Sequence, residues 1–261
     1  MRLPLLSLLL CSVLWSFATR VSAATNVVFV AAAADLVFCL DELNARFRAA
    51  HGPGEIKLST GSSGNFFAQI QQGAPFDVFL SADLRYPQEL VKAGLARSNS
   101  IVHYADGKIV LWTTRTNLSV TNGLSVLTGA GVRRVAIANP EHAPYGRAAR
   151  AALEKTGLWE ALQPKLVLGE NIAQTAQYVE SGSAEAGIVA LSLVSAPKLK
   201  QVGTWWLIPQ ELYPRLEQGA VLTQHGQTNA LAVAYLEFLR SPAAREIFDR
   251  FGFRLPDTSK P

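Results

Sequence analysis

The chain has 261 residues, 49% of them apolar and 17% charged, and its 24 Lys and Arg side chains nearly balance 20 Asp and Glu. This composition argues against a disordered chain and against a nucleic-acid scaffold. We therefore expect a globular protein with no nucleic-acid partner.

The N-terminus has the pattern of a cleavable secretory signal. Arg2 precedes an apolar run that is short for a bilayer span, and Ala23, with Val21 two residues earlier, offers the small residues that suit a cleavage site. We predict that residues 1–23 form the signal and that the mature chain starts near Ala24. The alternative is an uncleaved membrane anchor. Without this segment the chain is nearly neutral, which gives no argument for an acidic membrane as partner.

The two cysteines cannot form a disulfide in the mature chain, because Cys11 lies within the predicted signal and Cys39 remains alone. Cys39 falls in an apolar helical pattern. We therefore expect it to be a buried, unreactive thiol.

Beyond the signal, short apolar runs rich in β-branched residues alternate with amphipathic segments. This alternation is typical of strands joined by crossover helices and predicts an α/β fold. The predicted strands are 26–32, 56–59, 77–81, 108–113, 134–138, 165–168, 187–190 and 219–223. The predicted helices are 35–50, 65–72, 87–93, 147–156, 173–181, 228–239 and 243–250.

The first predicted helix has one apolar face. Leu36, Leu40, Leu43 and Phe47 recur at steps of four, three and four residues, which places them on one side of a helix. Residues 52–54 are Gly-Pro-Gly and end it, because glycine adopts the left-handed cap and proline cannot continue a helix. This helix should pack one stripe against a sheet.

Two segments of the chain echo one another. Residues 68–82 and 176–192 each read as a helix, a glycine-containing turn and a buried strand. Two lobes of similar construction would produce such an echo, and chance similarity would as well.

Two stretches could carry the chain from one lobe to the other, the polar residues 103–107 and the proline-containing residues 208–214. With crossings there, we predict that lobe I begins with residues 24–105, that lobe II is residues 106–209, and that residues 210–261 return to lobe I. Each lobe would then have an ordinary domain size.

No catalytic or metal-binding pattern fits the chain. The HExxH, GxxxxGK[ST] and GxGxxG patterns are absent, and the four histidines stand apart without the spacing of metal ligands. Residues 61–65 lack the final glycine of a GxSxG nucleophile elbow. We expect no enzyme activity and no cofactor. The alternative is a secreted hydrolase that uses Ser62 or Ser63, and it requires a histidine within reach of the serine.

Four predicted strand-to-helix junctions consist of small or neutral polar residues. In an open α/β sheet such junctions lie at the carboxyl ends of strands, where helix N-termini direct unpaired N–H groups outward and attract anions. Taken singly, each junction is also compatible with an ordinary capped connection. The junctions are residues 31–35, 60–65, 143–146 and 169–173.

Together the four junctions predict a cleft lined by backbone donors and hydroxyls. Four helix ends of about +0.5 charge each would roughly offset a dianion. Hydrogen bonds to a charged group contribute about 1.5 to 3 kcal/mol each, so several of them could outweigh the cost of desolvation. A small tetrahedral oxyanion suits this cleft better than a large organic ligand, for which Tyr145 alone would be an obvious aromatic wall.

A set of motifs runs along nearly the whole mature chain. The most specific is GSSG followed by AQI, GAP and SAD within residues 61–83. The accompanying motifs are VVFVAAAADL at 27–36, GKIVLW at 107–112, IANPEHAPYGRAA at 137–149, LVLGENIAQTAQ at 166–177 and AEAGIVALS at 184–192. Together these motifs resemble those of the periplasmic molybdate-binding proteins of ABC transporters.

The resemblance implies a type II periplasmic-binding fold. This is an α/β fold with two lobes, each a mostly parallel sheet flanked by helices, and with the ligand cleft between them. It also implies a periplasmic solute-binding protein that captures molybdate or tungstate and delivers it to the membrane permease of an ABC transporter. We expect a monomer.

The same resemblance places five residues at the ligand, namely Ala34, Asp35, Ser63, Tyr145 and Ile172. Ser63 lies in the GSSG loop and can donate its hydroxyl and its N–H, Tyr145 follows the proline of the APYG loop, and Ile172 offers its N–H after a Glu-Asn pair. The molybdate oxyanion would be held through these three. Ala34 and Asp35 depart from the Ser or Asn familiar in many members.

Asp35 leaves alternatives open. A carboxylate repels a fully deprotonated oxyanion but can accept the hydrogen of a protonated phosphate, which keeps a phosphate receptor as an alternative function. A receptor for sulfate is the other oxyanion alternative. The carboxylate can instead cap its own helix. We favour this cap, because an Asp ahead of an apolar helical stripe is a common helix start. Arg147 is expected on a solvated helix face rather than at the rim of the cleft.

Overall fold

A computed structural model describes residues 27–257, so the predicted signal and the mature N-terminus lie outside the described residues. The strands are β1 (Val27–Ala33), β2 (Glu55–Gly61), β3 (Val78–Ser81), β4 (Val102–Gly107), β5 (Ile109–Thr113), β6 (Val135–Ala138), β7 (Leu166–Gly169), β8 (Ala186–Ala190), β9 (Thr204–Leu207) and β10 (Leu216–Leu222). The α-helices are α1 (Val37–His51), α2 (Ser63–Gln71), α3 (Arg85–Lys92), α4 (Pro144–Lys155), α5 (Trp159–Leu162), α6 (Ile172–Glu180), α7 (Leu191–Val194), α8 (Ala230–Phe238) and α9 (Pro242–Arg250).

Each lobe is built on one five-stranded sheet, and the predicted two-lobed α/β fold is confirmed. The first sheet has the strand order β2-β1-β3-β10-β4, and the second has the order β7-β6-β8-β5-β9. The two orders match position by position, so that β6 in the second sheet corresponds to β1 in the first, and β8 corresponds to β3. The segments that echo each other in sequence therefore occupy matching places, since α2 leads to β3 and α6 leads to β8.

The sheets are mixed, but only β10 in the first sheet and β5 in the second run against the other four strands, so the prediction of mostly parallel sheets is confirmed. β1 is parallel to β2 and β3, and β6 is parallel to β7 and β8. By contrast, β10 is antiparallel to β3 and β4, and β5 is antiparallel to β8 and β9. Parallel neighbours need a crossover helix, whereas β4, β5, β9 and β10 carry the chain between the lobes without one.

The chain passes from the first sheet to the second between Gly107 and Ile109 and returns between Leu207 and Leu216. Strand β4 covers the stretch that was predicted as a polar crossing, and strand β9 was not predicted. The lobe boundaries at residues 105 and 209 stay predictions.

The polar residues of β4 are satisfied by partners that lie far away in the sequence. Asp106 is buried, and its carboxylate accepts hydrogen bonds from Arg215 at 2.5 Å and from Arg254 at 2.8 Å. His103 lies 2.7 Å from the other oxygen. These contacts hold the pKa of Asp106 well below its usual range, in spite of the opposing effect of burial.

Helix α1 packs in the predicted way. Leu36, Leu40, Leu43 and Phe47 are all fully buried in the core of the first lobe. Gly52 ends the helix with a φ of 84°, a conformation that favours glycine. The buried side chain of Cys39 lies in the same core, as expected.

The tryptophans of the described chain lie in the second lobe. Trp112 is fully buried in β5, Trp159 begins α5, and Trp205 and Trp206 belong to β9. Within residues 27–257, no helix combines the length and the apolar composition that a membrane span needs.

Candidate functional site

The four junctions of small residues meet in one cleft between the lobes. The junctions after β1, β2, β6 and β7 all contribute to its lining, and the closed lobes leave a cavity of about 10 Å³ between them. All five predicted site residues line it, and each is at most 3% exposed. These residues are Ala34, Asp35, Ser63, Tyr145 and Ile172. The structure thus brings the predicted residues together, whereas their binding to a ligand stays a prediction.

The first lobe contributes a hydroxyl and an N–H group at Ser63. Helix α2 begins at this residue, so its N–H has no carbonyl within the helix. Among residues 27–257, no group accepts a hydrogen bond from this N–H. Ser63 Oγ accepts a hydrogen bond from the N–H of Ala82 at 2.9 Å, which fixes the side chain and leaves its O–H free to donate.

The second lobe contributes backbone N–H groups. Pro144 is the first residue of α4, where its fixed φ suits the helix, and Tyr145 follows in the first turn. Asn171 caps α6, because its Oδ1 accepts from the N–H groups two and three residues further on. The N–H groups of Tyr145 and Ile172 meet no acceptor among the described residues.

Direct contacts between the lobes surround the cleft. Ser62 Oγ donates to the backbone carbonyl of His142 at 2.6 Å, and the N–H of Gly64 donates to the same oxygen at 3.0 Å. Asn65 Nδ2 donates to Glu170 Oε1 at 3.4 Å. The approach at Gly64 requires glycine, because a Cβ there would lie 2.5 Å from the carbonyl oxygen. The lobes are therefore closed on each other at this edge.

Asp35 does not cap its own helix, which corrects the favoured interpretation. It lies in a 3-10 turn, Ala34–Leu36, that has no side-chain cap hydrogen bond. Two side-chain donors hold its carboxyl instead: Oδ2 accepts a hydrogen bond from the Tyr145 hydroxyl at 2.9 Å and one from Gln218 Nε2 at 2.6 Å. Because Tyr145 belongs to the second lobe and Gln218 to the first, the carboxyl links the two lobes inside the cleft.

The other carboxyl oxygen of Asp35, Oδ1, is buried and has no hydrogen-bond partner among the described residues. Burial raises the pKa of Asp35 to about 6, against the lowering effect of the hydrogen bonds from Gln218 and Tyr145. Burial and the neighbouring carboxyl also raise the pKa of the Tyr145 hydroxyl, which therefore stays protonated and donates.

Two residues that support Asp35, namely Gln218 and Tyr104, were not predicted from the sequence. The Tyr104 hydroxyl donates to Gln218 Oε1 at 2.9 Å, so the amide NH₂ faces Asp35. Gly107 lies directly against this group, since a Cβ there would meet the Tyr145 hydroxyl and the Gln218 amide. In the sequence, Gln218 is visible only as a glutamine just before the predicted strand 219–223. That position does not reveal that its partner is Asp35, 183 residues away.

Arg147 lies at the rim of the cleft, not on the solvated helix face that was expected. Its Nη2 donates to Asp83 Oδ2 at 2.7 Å, and its Nη1 donates to the Tyr86 hydroxyl at 3.2 Å. The guanidinium also lies over the Tyr86 ring, 5.6 Å from the centroid. Its charge is thus paired across the lobes at the mouth of the cleft.

The geometry gives the hydrolase alternative no support. Ser62 Oγ donates to a backbone carbonyl, that of His142, while the ring Nε2 of His142 lies 2.9 Å from the carbonyl oxygen of Glu170. Ser63 Oγ is bonded to a backbone N–H. The described residues also contain no group of three or more His, Cys, Asp or Glu side chains that could hold a metal ion.

Comparisons with known proteins agree with this architecture. The family model described as bacterial extracellular solute-binding protein matches residues 28–254. The chain is 41% identical to the molybdate-binding protein ModA of Rhodobacter capsulatus, over 88% of this chain and 89% of that protein. It is 40% identical to ModA of Azotobacter vinelandii, over 87% and 90%.

The solved structure of the Azotobacter vinelandii periplasmic molybdate-binding protein matches with a TM-score of 0.83 at 35% identity, and the match covers 88% of this chain and all of that one. The agreement extends over both lobes. The chain therefore belongs to the bacterial extracellular solute-binding proteins, in the family of the molybdate-binding proteins.

Proposed function

We propose that this protein captures molybdate, or tungstate of the same shape and charge, between its lobes and delivers it to the permease of an ABC transporter. Relatives that match most of the chain are named molybdate-binding proteins. One observation carries the proposal: donors of Ser63, Tyr145 and Ile172, from both lobes, line one buried cleft, and their N–H groups have no acceptor within the described chain.

The cleft can hold a dianion without a cationic side chain. The N-terminal ends of α2, α4 and α6 each contribute about half a positive charge, and the free N–H groups add directed hydrogen bonds. Among the described residues, no Lys or Arg lines this cleft. Ser63, Tyr145 and Ile172 would contact the oxygens of the anion. They are hydrogen-bond donors and not ligands of the metal atom.

Donors fixed at helix starts also select an ion by size. The lobes already touch where the carbonyl of His142 meets Ser62 and Gly64, so the N–H groups of α2 and α6 cannot move closer together around a smaller ion. Sulfate is smaller than molybdate and would leave longer, weaker hydrogen bonds. The expected order is therefore molybdate and tungstate well ahead of sulfate.

Closure of the lobes is the event that completes the site. Ser63 reaches the anion from the first lobe and Ile172 from the second, so only the closed form makes both sets of contacts. A ligand shifts a conformational equilibrium by the difference in its affinity for the two states. The anion would therefore stabilise the closed form seen here, and the permease would recognise that form.

The exported state and the partners belong to the same proposal. The family supports an extracellular solute-binding protein. We extend this to a periplasmic monomer, released from a signal at residues 1–23, that works without a cofactor and has no enzyme activity. We also propose lobe I at 24–105 and 210–261 and lobe II at 106–209; the strand membership of the two sheets supports this division into lobes and continues the first lobe to the end of β4 at Gly107.

A ligand panel tests the proposal. The mature protein is titrated calorimetrically and heated with molybdate, tungstate, sulfate or phosphate. Binding and thermal stabilisation by molybdate and tungstate, with at most weak effects of the other two, is the expected result. Binding of sulfate or phosphate in preference to molybdate would overturn the ligand assignment.

Phosphate is a second candidate because of one observation. Asp35 lines the cleft, its Oδ1 has no partner among the described residues, and the ionised carboxylate could accept the hydrogen of a protonated phosphate. The phosphate titration in the ligand panel therefore tests this second candidate directly. Phosphate binding that matches or exceeds molybdate binding would favour this candidate.

A further inference from the structure

The carboxyl of Asp35 has one satisfied and one unsatisfied oxygen. Oδ2 accepts two hydrogen bonds, from the Tyr145 hydroxyl and from Gln218 Nε2. Oδ1 is buried without a partner among the described residues, and Asp35 is one of the residues that line the cleft. Because both donors point at Oδ2, a proton on this carboxyl would be carried by Oδ1.

The surroundings of Asp35 supply no positive charge. The titratable groups that face it are the thiol of Cys39 on α1, the hydroxyl of Tyr104 on β4 and the hydroxyl of Tyr145 on α4, and all three are neutral in their ordinary state. Ser192 on α7 donates to the backbone carbonyl of Asp35, and α6 faces it with apolar residues. In the part of the chain that the structure describes, no Lys, Arg or His bonds this carboxyl.

An ionised Asp35 would therefore conflict with the proposed ligand. The carboxylate and a dianion would share one dry cleft with no counter-ion beside them, and like charges at short range in a medium of low dielectric repel strongly. A protonated Asp35 removes this repulsion. It also gives the buried Oδ1 a hydrogen to donate to an oxygen of the anion.

We propose that Asp35 enters the loaded cleft as the neutral acid and donates a hydrogen bond from Oδ1 to the bound oxyanion, so that capture by protein with an ionised Asp35 takes up one proton from solvent. This inference rests on the proposed capture of a tetrahedral dianion. It adds a residue that couples the binding of the anion to pH. The phosphate candidate makes the opposite assignment, in which an ionised Asp35 accepts a hydrogen from the ligand.

The linkage has a definite sign. Binding that favours the neutral acid raises the pKa of the carboxyl in the complex above its value in the free protein. Burial already raises the pKa of Asp35 to about 6 in the ligand-free cleft. Between these two pKa values the affinity for molybdate should fall about tenfold for each unit of rising pH. Below both of them the affinity should become independent of pH.

Calorimetry of the mature wild-type protein measures the proton directly. Molybdate is titrated at micromolar concentration between about pH 6 and about pH 8.5, each time in two buffers that differ in ionisation enthalpy. The buffer dependence of the heat gives the number of protons taken up. We expect an uptake that approaches one proton in the range where the affinity falls. Binding with no proton uptake and no pH slope would overturn the inference and leave the proposed function standing.

The variant Asp35→Asn tests the residue. Its amide oxygen can accept from Tyr145 and Gln218, and its NH₂ can donate to the anion at every pH, as the neutral acid would. We expect it to bind molybdate without proton uptake and with a flat pH profile. Asp35→Asn that binds and still takes up the wild-type number of protons would assign the proton elsewhere and overturn the inference.

Asp41→Asn serves as the matched control. Asp41 is exposed on α1, and its substitution should leave the affinity, the pH slope and the proton uptake as in wild type. If Asp35→Asn does not fold, the inference is tested by the proton uptake of the wild-type protein on molybdate binding, compared with that of Asp41→Asn. A wild-type protein that binds neither molybdate nor tungstate at any pH contradicts the proposed function instead, and the inference falls with it.

Discussion

The two lobes share one strand order but bring different chemistry to the cleft. The junction after β1 corresponds to the junction after β6, and the junction after β2 corresponds to that after β7. At the second pair of junctions, the first lobe places Ser63, with a hydroxyl and an N–H, where the second lobe places Ile172, with an N–H alone. At the first pair, Asp35 corresponds to Tyr145, and these two side chains bond each other.

This difference separates what the backbone supplies from what side chains supply. An N–H at the start of a helix is present whatever the side chain, so the second lobe can donate through an apolar residue such as Ile172. The hydroxyl of Ser63 and the carboxyl of Asp35 exist only as those residue types. The first lobe should therefore be the more sensitive half to conservative substitution.

Gly64→Ala should have the largest effect, because it blocks the approach of the two lobes. The new Cβ would lie 2.5 Å from the backbone oxygen of His142. We expect molybdate affinity, measured by calorimetry, to fall at least about a hundredfold. Gly131→Ala, whose Cβ meets open space, is the control and should keep wild-type affinity. An unchanged affinity in Gly64→Ala would show that capture does not need this closed contact.

Ser63→Ala against Ile172→Val compares the lobes directly. Loss of the Ser63 hydroxyl removes a donor to a charged ligand and the acceptor for the N–H of Ala82, so the affinity should fall by about 1.5 to 3 kcal/mol, or tenfold or more. Ile172→Val keeps the N–H and should change the affinity less than about threefold. Equal losses in both variants would contradict the division between side-chain and backbone donors.

Asp35→Asn should also change the stability of the ligand-free protein with pH. Because the folded pKa of Asp35 is raised to about 6, the stability that its neutral form provides is present below the ordinary value of 3.8 and is lost as the pH rises through about 6. The variant should match wild type near pH 4 and exceed it near pH 8, by roughly 2 kcal/mol at most. Urea unfolding at the two pH values measures this. A difference that is larger in acid would contradict the assignment.

Arg147→Ala should have the smallest effect, because a partly exposed ion pair contributes little. Removing its bonds to Asp83 and Tyr86 across the mouth of the cleft should weaken molybdate binding by about 0.5 to 1 kcal/mol, and less at high salt. Arg150→Ala is the control, since Arg150 pairs with Glu154 within α4. An equal effect of the two substitutions would show that the rim pair does not assist closure.

The sequence was sufficient for the features that depend on local pattern. Apolar periodicity predicted α1 and its buried stripe, and the small residues at the junctions, with the family resemblance, predicted which residues line the cleft. The interaction of Asp35 with Gln218 was not predictable, because 183 residues separate them and no spacing links them. Strand β4 was missed for a similar reason, since the two arginines that bond its Asp106 lie 109 and 148 residues away along the chain.

The placement of the tryptophans has an optical consequence. Because Trp112, Trp159, Trp205 and Trp206 all lie in the second lobe, excitation at the long-wavelength edge of the ultraviolet band, where tryptophan absorbs and tyrosine does not, selects that half of the described chain. An acceptor dye on the first lobe, for example at Lys57→Cys on exposed β2, would turn the distance between the lobes into an energy-transfer signal. The native thiol of Cys39 is buried and would not compete for the dye. The native tryptophans thus supply the donor, and one acceptor dye completes a fluorescent reporter of lobe closure around the oxyanion.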